Sequence, residues 1–140
     1  MIYIASDHGG FEVKEYIKKF LTKLNMQYVD KGPEVFTDGD DYPLYANLLV
    51  TSITPEDKGI LICDTGIGMS IAANRHPGIR AALCTSIFEA MRAREHNDAN
   101  ILVLGSQTSE LPDIEAMIKV FFDTEFSDEE RHIRRIHELG

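Results

Sequence analysis

Short apolar runs alternate along the chain with segments whose apolar residues recur every three or four positions. The runs predict strands at positions 2–6, 28–29, 59–63, 79–84 and 101–104. Helical spacing marks positions 13–24, 42–53, 71–75, 87–95 and 111–122. Buried strands that alternate with helices are typical of a parallel sheet covered on both faces. The pattern therefore predicts a single α/β domain over residues 1–140, with a five-stranded parallel sheet.

The last predicted element is a helix with a positive face. The run from Ser127 to Glu130 fits a capping box, so we expect the helix to begin there and to continue to about residue 139. Arg131, Arg134 and Arg135 share the side opposite its apolar residues. Two interpretations stay open: a solvated face that balances nearby acids, or a clamp in which arginines four apart grip one phosphate.

Composition and charge narrow the class of partner. The formal net charge of −9 argues against nucleic acid and anionic membranes as partners. No apolar run approaches the ~20 residues of a membrane span, and the first residues predict a strand rather than a signal peptide. Cys63 and Cys84 are expected to be reduced thiols, with a disulfide as the alternative. We therefore expect a soluble, cytoplasmic protein.

The most informative stretch follows the third predicted strand. Cys63 leads through Asp64 and Thr65 into a glycine-rich turn, residues 66–70, ahead of a short helix. Backbone N–H groups at such a turn, with the positive end of a helix dipole, hold anions. The same field favours the thiolate of Cys63, although a cysteine that only packs in the core is the alternative. An oxyanion site beside a basic sulfur suits carbonyl chemistry.

Two other segments carry groups that suit proton transfer. Asp7 and His8 follow the first strand, where the simpler interpretation makes Asp7 a helix cap and leaves His8 exposed. His96 and Asn97 precede the fifth strand, at its amino end. Ligands of parallel sheets bind at the carboxyl ends of the strands. His96 is therefore either an ordinary surface residue or an acid that completes the pocket of a neighbouring subunit.

Together these segments closely resemble the type B ribose-5-phosphate isomerase family, which includes the galactose-6-phosphate isomerase subunits. The matching pieces occur in the family's order at positions 6–10, 41–43, 63–74, 96–100 and 131–135. The resemblance implies a Rossmann-like three-layer αβα sandwich with an extra C-terminal helix. It also implies a homodimer or tetramer with shared active sites, a phosphorylated sugar substrate, and neither a metal nor an organic cofactor.

The resemblance further assigns roles to single residues. It implies that Cys63 is the base that moves a proton between C1 and C2 through a cis-enediolate, and that Asp7, Thr65 and His96 assist ring opening. The implied substrate contacts are Tyr42, Asn97, the backbone of Asp64, Gly66, Ile67, Gly68, Met69 and Ser70, and, around the phosphate, His8, Arg131, His132 and Arg135. The expected reaction interconverts ribose 5-phosphate and ribulose 5-phosphate. A six-carbon isomerase of allose or galactose 6-phosphate is the alternative.

Two positions depart from the family's pattern. Asp64 replaces the glycine that commonly follows the cysteine, and its charge is unfavourable beside an enediolate unless the side chain points away. Gln107 stands where the family often has an arginine. A member that binds sugar phosphate without turnover is therefore a further alternative. A phospho-receiver-like domain is more distant: Asp7, Asp64 and Thr85 occupy suitable strand ends, but no lysine follows the fifth strand.

Overall fold

The computed structural model describes all of residues 1–140 and contains five strands and six α-helices. The strands are β1 (Ile2–Ser6), β2 (Tyr28–Asp30), β3 (Lys58–Cys63), β4 (Ala81–Leu83) and β5 (Ile101–Gly105). The helices are α1 (Phe11–Lys23), α2 (Tyr42–Val50), α3 (Ile67–Ala73), α4 (Ile87–Asn97), α5 (Leu111–Asp123) and α6 (Glu130–Leu139). All of the helices fall short of the length and apolarity that crossing a bilayer requires.

The strands form one sheet in the order β2-β1-β3-β5-β4, and every neighbouring pair is parallel. The predicted Rossmann-like α/β class is confirmed. The chain moves outward from β1 to β2 and then returns to place β3 on the other side of β1. Such a reversal opens a crevice at the carboxyl ends of the two central strands, where ligands of these sheets bind. Because Ser6 pairs with Ile62, Asp7 and Cys63 reach this crevice together.

Side chains of β3 alternate between two separate cores. Ile60 and Ile62 pack with residues of α1, α4 and α5, whereas Leu61 and Cys63 pack with residues of α2 and α3. The alternation follows from the two-residue period of a strand. Full burial of each aliphatic side chain contributes about 1.5–3 kcal/mol to folding. The same packing that stabilises the sheet therefore directs the Cys63 thiol to the face that carries α3.

Two boundaries near the glycine-rich turn differ from prediction. α3 runs from Ile67 to Ala73 rather than over 71–75, because Gly66 has a φ of +81° and turns the chain directly from strand to helix. The fourth strand is three residues long instead of six. Its expected start is lost because the Arg80 N–H donates to the side chain of Asn100, at 2.8 Å, instead of to a strand partner.

The expected capping box at the start of α6 is wrong. Asp128 has a φ of +56°, which is incompatible with a helix at that position. Ser127 Oγ accepts a hydrogen bond from the Glu129 N–H at 3.4 Å, so it closes a local turn. The helix therefore begins at Glu130, with Glu129 as an N-cap whose side chain makes no capping bond.

Candidate active site

The turn after β3 surrounds the Cys63 sulfur with protein and gives it a backbone donor. Cys63 is only 6% exposed, and the Gly66 N–H donates a hydrogen bond to Sγ at 3.0 Å. A Cβ added at Gly66 would lie 2.5 Å from Leu83 Cδ1, so this turn needs glycine for space as well as for its positive φ. A donor aimed at sulfur stabilises negative charge there, which suits a cysteine that acts as a base.

The remainder of the predicted loop forms the first turn of α3. Thr65 Oγ1 accepts a hydrogen bond from the Ile67 N–H at 3.3 Å, and its side chain stays exposed beside the crevice. The Ser70 hydroxyl donates to the Ile67 carbonyl at 2.8 Å, whereas Met69 is fully buried. The loop thus offers backbone N–H groups and one hydroxyl to a ligand, while Met69 serves packing.

Asp7 lies beside this turn, at the carboxyl end of β1. Its side chain is buried, and Oδ1 accepts a hydrogen bond from the Gly10 N–H at 3.1 Å, capping a short 3₁₀ turn. Burial is the main cause that raises the pKa of the Asp7 carboxyl above its ordinary value. A carboxyl group that keeps its proton to higher pH can donate as well as accept. The capping role is confirmed, and it leaves Asp7 suited to proton transfer.

His8 is bound to a neighbouring carboxylate rather than free in solvent, which corrects the simpler interpretation of this residue. Asp40 Oδ1 accepts a hydrogen bond from the His8 backbone N–H at 2.8 Å and lies 2.8 Å from the ring Nδ1. This side-chain hydrogen bond is the main cause that raises the pKa of His8 above its ordinary value. The environment favours an imidazolium, which is a suitable partner for a phosphate group.

Asp7, His8 and Asp40 also form the one group of possible metal ligands whose atoms converge, within 4.8 Å of one another. The Nδ1 atom of His8 is already engaged by Asp40. His8 therefore has only its Nε2 atom left to offer to a metal or to an anion.

Hydrogen bonds join the loops that follow β1, β3 and β5. The Ser106 N–H donates to the Cys63 carbonyl at 2.9 Å, and the Ser106 hydroxyl donates to the Gly9 carbonyl at 2.7 Å. The Gln107 N–H donates to the Asp64 carbonyl at 2.8 Å. The three loops therefore form one rigid edge. Ser106 was not predicted as a site residue, because a serine in a turn carries no distinctive sequence signal.

The Asp64 side chain is exposed and is directed from β3 toward the loop after β1. A Cβ added at Gly9 would lie 2.6 Å from Asp64 Oδ1, so the carboxylate packs against Gly9 at the rim of the crevice. Glycine at position 9 is what makes room for this unusual aspartate.

Tyr42 covers the first turn of α3. A Cβ added at Gly68 would lie 2.7 Å from two carbons of the Tyr42 ring, so the ring packs directly on the glycine. Tyr42 is 39% exposed and begins α2, with Pro43 in the first helical turn as predicted. The structure therefore places Tyr42 beside the Cys63 turn, as expected for a substrate contact.

A second cluster of predicted site residues lies between α4 and α6. His96, Asn97, His132 and Arg135 line a cavity of about 250 Å³. The rings of His96 and His132 stack, with centroids 4.3 Å apart and planes 17° apart. His132 is buried, and its Nε2 has no hydrogen-bond partner. Burial, followed by the charges of His96 and Arg131, lowers the pKa of His132 below its ordinary value.

The two predicted phosphate arginines differ in their surroundings. Arg131 pairs with Glu129 at 3.0 Å, with both side chains more than half exposed. This contact is consistent with the solvated-face interpretation, although such a pair contributes only about 0–1 kcal/mol and leaves Arg131 available to an anion. Arg135 lines the His96 cavity and has no ion pair.

One chain does not bring the two clusters together. Cys63 ends β3, whereas His96 belongs to the last turn of α4, just before β5 begins at Ile101. β5 spans five residues, so the two edges of the sheet are separated by roughly 13 Å at about 3.3 Å per residue. A cavity of about 650 Å³ that is also lined by Asn97 lies at the amino edge. His96 is thus out of reach of its own chain's Cys63.

Comparison with known proteins identifies the same architecture elsewhere. The profile of the family described as Ribose/Galactose Isomerase matches residues 2–139. A ribose 5-phosphate isomerase structure from Thermotoga maritima is 45% identical, covers 99% of this chain and 95% of its own, and has a TM-score of 0.94. Ribose-5-phosphate isomerase B from Mycoplasma genitalium, with bound ribulose 5-phosphate, is 38% identical over 99% and 92%, with a TM-score of 0.93.

A curated relative agrees with these structures. Ribose-5-phosphate isomerase B from Mycolicibacterium paratuberculosis is 36% identical over 99% of this chain and 89% of the relative. The matches cover both the Cys63 turn and the α4–α6 cluster. They also set aside the phospho-receiver alternative, in agreement with Thr85, whose hydroxyl is already bonded to Glu89 Oε1 at 2.8 Å.

Proposed function

Since the chain belongs to the ribose/galactose isomerase family, we propose that it interconverts ribose 5-phosphate and ribulose 5-phosphate through a cis-enediolate. The observation that carries the proposal is the buried Cys63 sulfur, which accepts an N–H hydrogen bond at the carboxyl end of β3. The two ribose-5-phosphate isomerase structures described above support the five-carbon substrate.

In the proposed reaction, the Cys63 thiolate removes the proton from C2 of the open-chain aldose. The electron pair of that C–H bond forms the C1–C2 double bond, and the carbonyl oxygen takes the negative charge. The proton of the C2 hydroxyl then passes to the oxygen on C1, the C2 oxygen becomes the new carbonyl, and return of the proton from Cys63 to C1 gives the ketose. The backbone N–H groups of Gly68 and Met69, which lie in the first turn of α3 and have no acceptor within the chain, stabilise the developing oxyanion, because fixed donors need no reorganisation as the charge forms.

Ring opening must precede this step, and it needs groups that exchange protons with the sugar oxygens. Asp7 suits this task because burial favours its protonated form. The exposed Thr65 hydroxyl and the Tyr42 ring lie around the same turn and orient the sugar. The backbone of Asp64 lies at the same carboxyl edge of the sheet and is a further contact for the sugar.

We propose that a second copy of the chain completes each site, in a homodimer or a tetramer. The separation of Cys63 from His96 within one chain supports shared sites. Exposed apolar side chains on α3 and α6 provide surface for such an assembly, namely Ile67, Ile71, Ile133 and Leu139. In the assembly, His96 and Asn97 of the partner contact the sugar, and Arg131, His132 and Arg135 join His8 around the phosphate.

The proposal places the reaction in the cytoplasm, where thiols stay reduced. Both cysteines are buried and free, and they belong to cores on opposite faces of the sheet. Cys84 therefore provides a matched control for Cys63: the same side chain, likewise buried, away from the crevice. Burial raises the pKa of Cys84 to about 12, so it remains a thiol.

The test compares Cys63→Ala with Cys84→Ala in D₂O, with deuterium incorporation at C2 of the aldose or C1 of the ketose as the readout. We expect Cys63→Ala to lose both exchange and turnover by about 10²–10⁴-fold, and Cys84→Ala to retain both. Full exchange in Cys63→Ala would remove Cys63 as the base. Faster turnover of allose or galactose 6-phosphate than of ribose 5-phosphate would favour the six-carbon alternative.

A further inference from the structure

The contact between Asp40 and His8 is more specific than a surface ion pair. One carboxylate oxygen, Oδ1, receives the His8 backbone N–H and lies at the same 2.8 Å from the ring Nδ1. The Asp40 side chain is 6% exposed, whereas that of His8 is 38% exposed. A buried carboxylate thus fixes both the backbone and the ring of a residue whose other edge remains open.

The groups that face His8 are acidic. Asp7 precedes it, Asp38 and Asp40 approach from the loop before α2, and Asp64 packs on the adjacent Gly9. The Tyr45 hydroxyl lies beside Asp40, and its pKa is raised by burial and then by the Asp40 charge. An anionic substrate group that enters here meets several negative charges. Its binding therefore depends on a positive charge at His8.

We propose that Asp40 is a positioning residue that holds the His8 ring by Nδ1, so that a charged imidazolium presents Nε2–H to the phosphate of the substrate. The proposal rests on the proposed function, because it takes the anion to be the sugar phosphate. Nε2 lies on the open edge of the ring and has no partner within the protein. Of the two ring nitrogens, it alone is available to a ligand.

The proposal has a definite pH dependence. The pKa of His8 is raised above its ordinary 6.5, mainly by the hydrogen bond to Asp40. The positive charge is fully present below that ordinary value and is lost as pH rises through the raised value. Removal of the Asp40 charge moves this loss to lower pH. Phosphate binding then weakens at a pH where the wild-type protein still binds well.

The test compares Asp40→Asn with Asp38→Asn. Asparagine keeps the shape and the acceptor oxygen of Asp40 and removes only the charge, whereas Asp38 is exposed and makes no hydrogen bond to His8. Two experiments run from pH 5.5 to 9. The first is the NMR titration of His8, identified by its absence in His8→Gln, and the second measures the KM and kcat for ribose 5-phosphate.

We expect the His8 titration midpoint to move to lower pH in Asp40→Asn. For each pH unit that the midpoint falls, KM near pH 7.5 should rise by up to about tenfold, with kcat nearly unchanged. Asp38→Asn is expected to leave KM and kcat within about twofold of the wild-type values. In His8→Gln, the KM loses the corresponding step in its pH profile. This variant tests the phosphate role even where Asp40→Asn fails to fold.

An unchanged His8 titration in Asp40→Asn would overturn the role of Asp40, whatever the activity. A lowered titration midpoint with an unchanged KM would overturn the link to phosphate. If the chain proves inactive, the proposed function fails separately. Inorganic phosphate then replaces the substrate as the probe, and it should shift the His8 resonance in the wild type more than in Asp40→Asn.

Discussion

The carboxyl edge of the sheet and the cluster between α4 and α6 are built in opposite ways. At the carboxyl edge, three loops are tied by backbone hydrogen bonds, and Gly66 and Gly68 leave room for close contacts. In the α4–α6 cluster, the functional groups are long side chains on helix surfaces, such as Arg131 and Arg135. The first region is preorganised by these contacts, whereas in the second Arg131 pairs only with the exposed Glu129 and Arg135 has no ion pair.

The difference matches the two tasks of an isomerase. Stabilisation of a short-lived oxyanion needs donors that are fixed before the charge forms. A phosphate group away from the reacting carbons needs only to be bound, and its binding energy can position the sugar. Exposed arginine side chains on a helix suit the second task, and fixed backbone donors suit the first.

The two regions also differ in charge. The carboxyl edge carries five aspartates, at positions 7, 38, 40, 41 and 64, and the opposite region carries five arginines, at positions 75, 80, 131, 134 and 135. Two of these arginines are paired, Arg80 with Asp98 and Arg131 with Glu129. A two-fold axis that brings the basic region of one chain to the acidic edge of another forms the same contact twice. Such complementarity favours the shared-site assembly over other arrangements of the same chain.

The strongest test of shared sites inactivates each of the two regions in a different chain. Cys63→Ala and His96→Gln are each expected to lower activity by about 10²–10⁴-fold. Co-expressed in equal amounts, they are expected to recover about a quarter of wild-type activity, because half of the dimers are hybrids and each hybrid holds one intact site. The measurement is the isomerase rate of the mixed preparation against each parent.

A matched control places both substitutions in one chain and co-expresses it with wild type. These hybrids contain two half-damaged sites, so only the wild-type dimers, again about a quarter, remain active. Purified hybrids separate the two cases, since only the first kind holds an intact site. Activity in the second kind of hybrid without activity in the first would contradict shared sites.

A smaller effect is expected when one arginine of the α4–α6 cluster is removed. Arg135→Ala should raise the KM for the phosphorylated sugar by about tenfold with little change in kcat, since it removes one charge-assisted hydrogen bond worth about 1.5 kcal/mol. Arg134→Ala is the control, because Arg134 is exposed on the same helix and does not line the His96 cavity. Equal KM values for the two variants would favour the solvated-face interpretation of Arg135 over the phosphate contact.

Features that depend on neighbouring residues could be predicted from the sequence. The strands, the order of elements and the position of Cys63 follow from apolar runs and from the turn after β3, which are local features. The boundaries failed where a single backbone angle decides them, at Gly66 and at Asp128. A positive φ at an aspartate leaves no mark in a hydrophobic pattern.

The contacts that span the chain were less predictable. Asp40 lies 32 residues from His8 and belongs to a loop without periodicity, so no spacing rule indicates their hydrogen bond. The stacking of His96 on His132 depends on how α6 packs against α4. The separation of His96 from Cys63 was predictable, because topology alone assigns them to opposite edges of a parallel sheet.

The preorganised region can be tested through the stability of variants at its glycines. Gly66 and Gly78 have nearly the same φ, +81° and +79°, so alanine carries the same backbone strain at both. A Cβ at Gly66 also meets Leu83 at 2.5 Å, whereas one at Gly78 meets nothing within 4 Å. Gly66→Ala should therefore cost about 1–3 kcal/mol more than Gly78→Ala in urea unfolding. Equal losses would show that the turn yields to the side chain, and the carboxyl edge would then be no more rigid than the α4–α6 cluster.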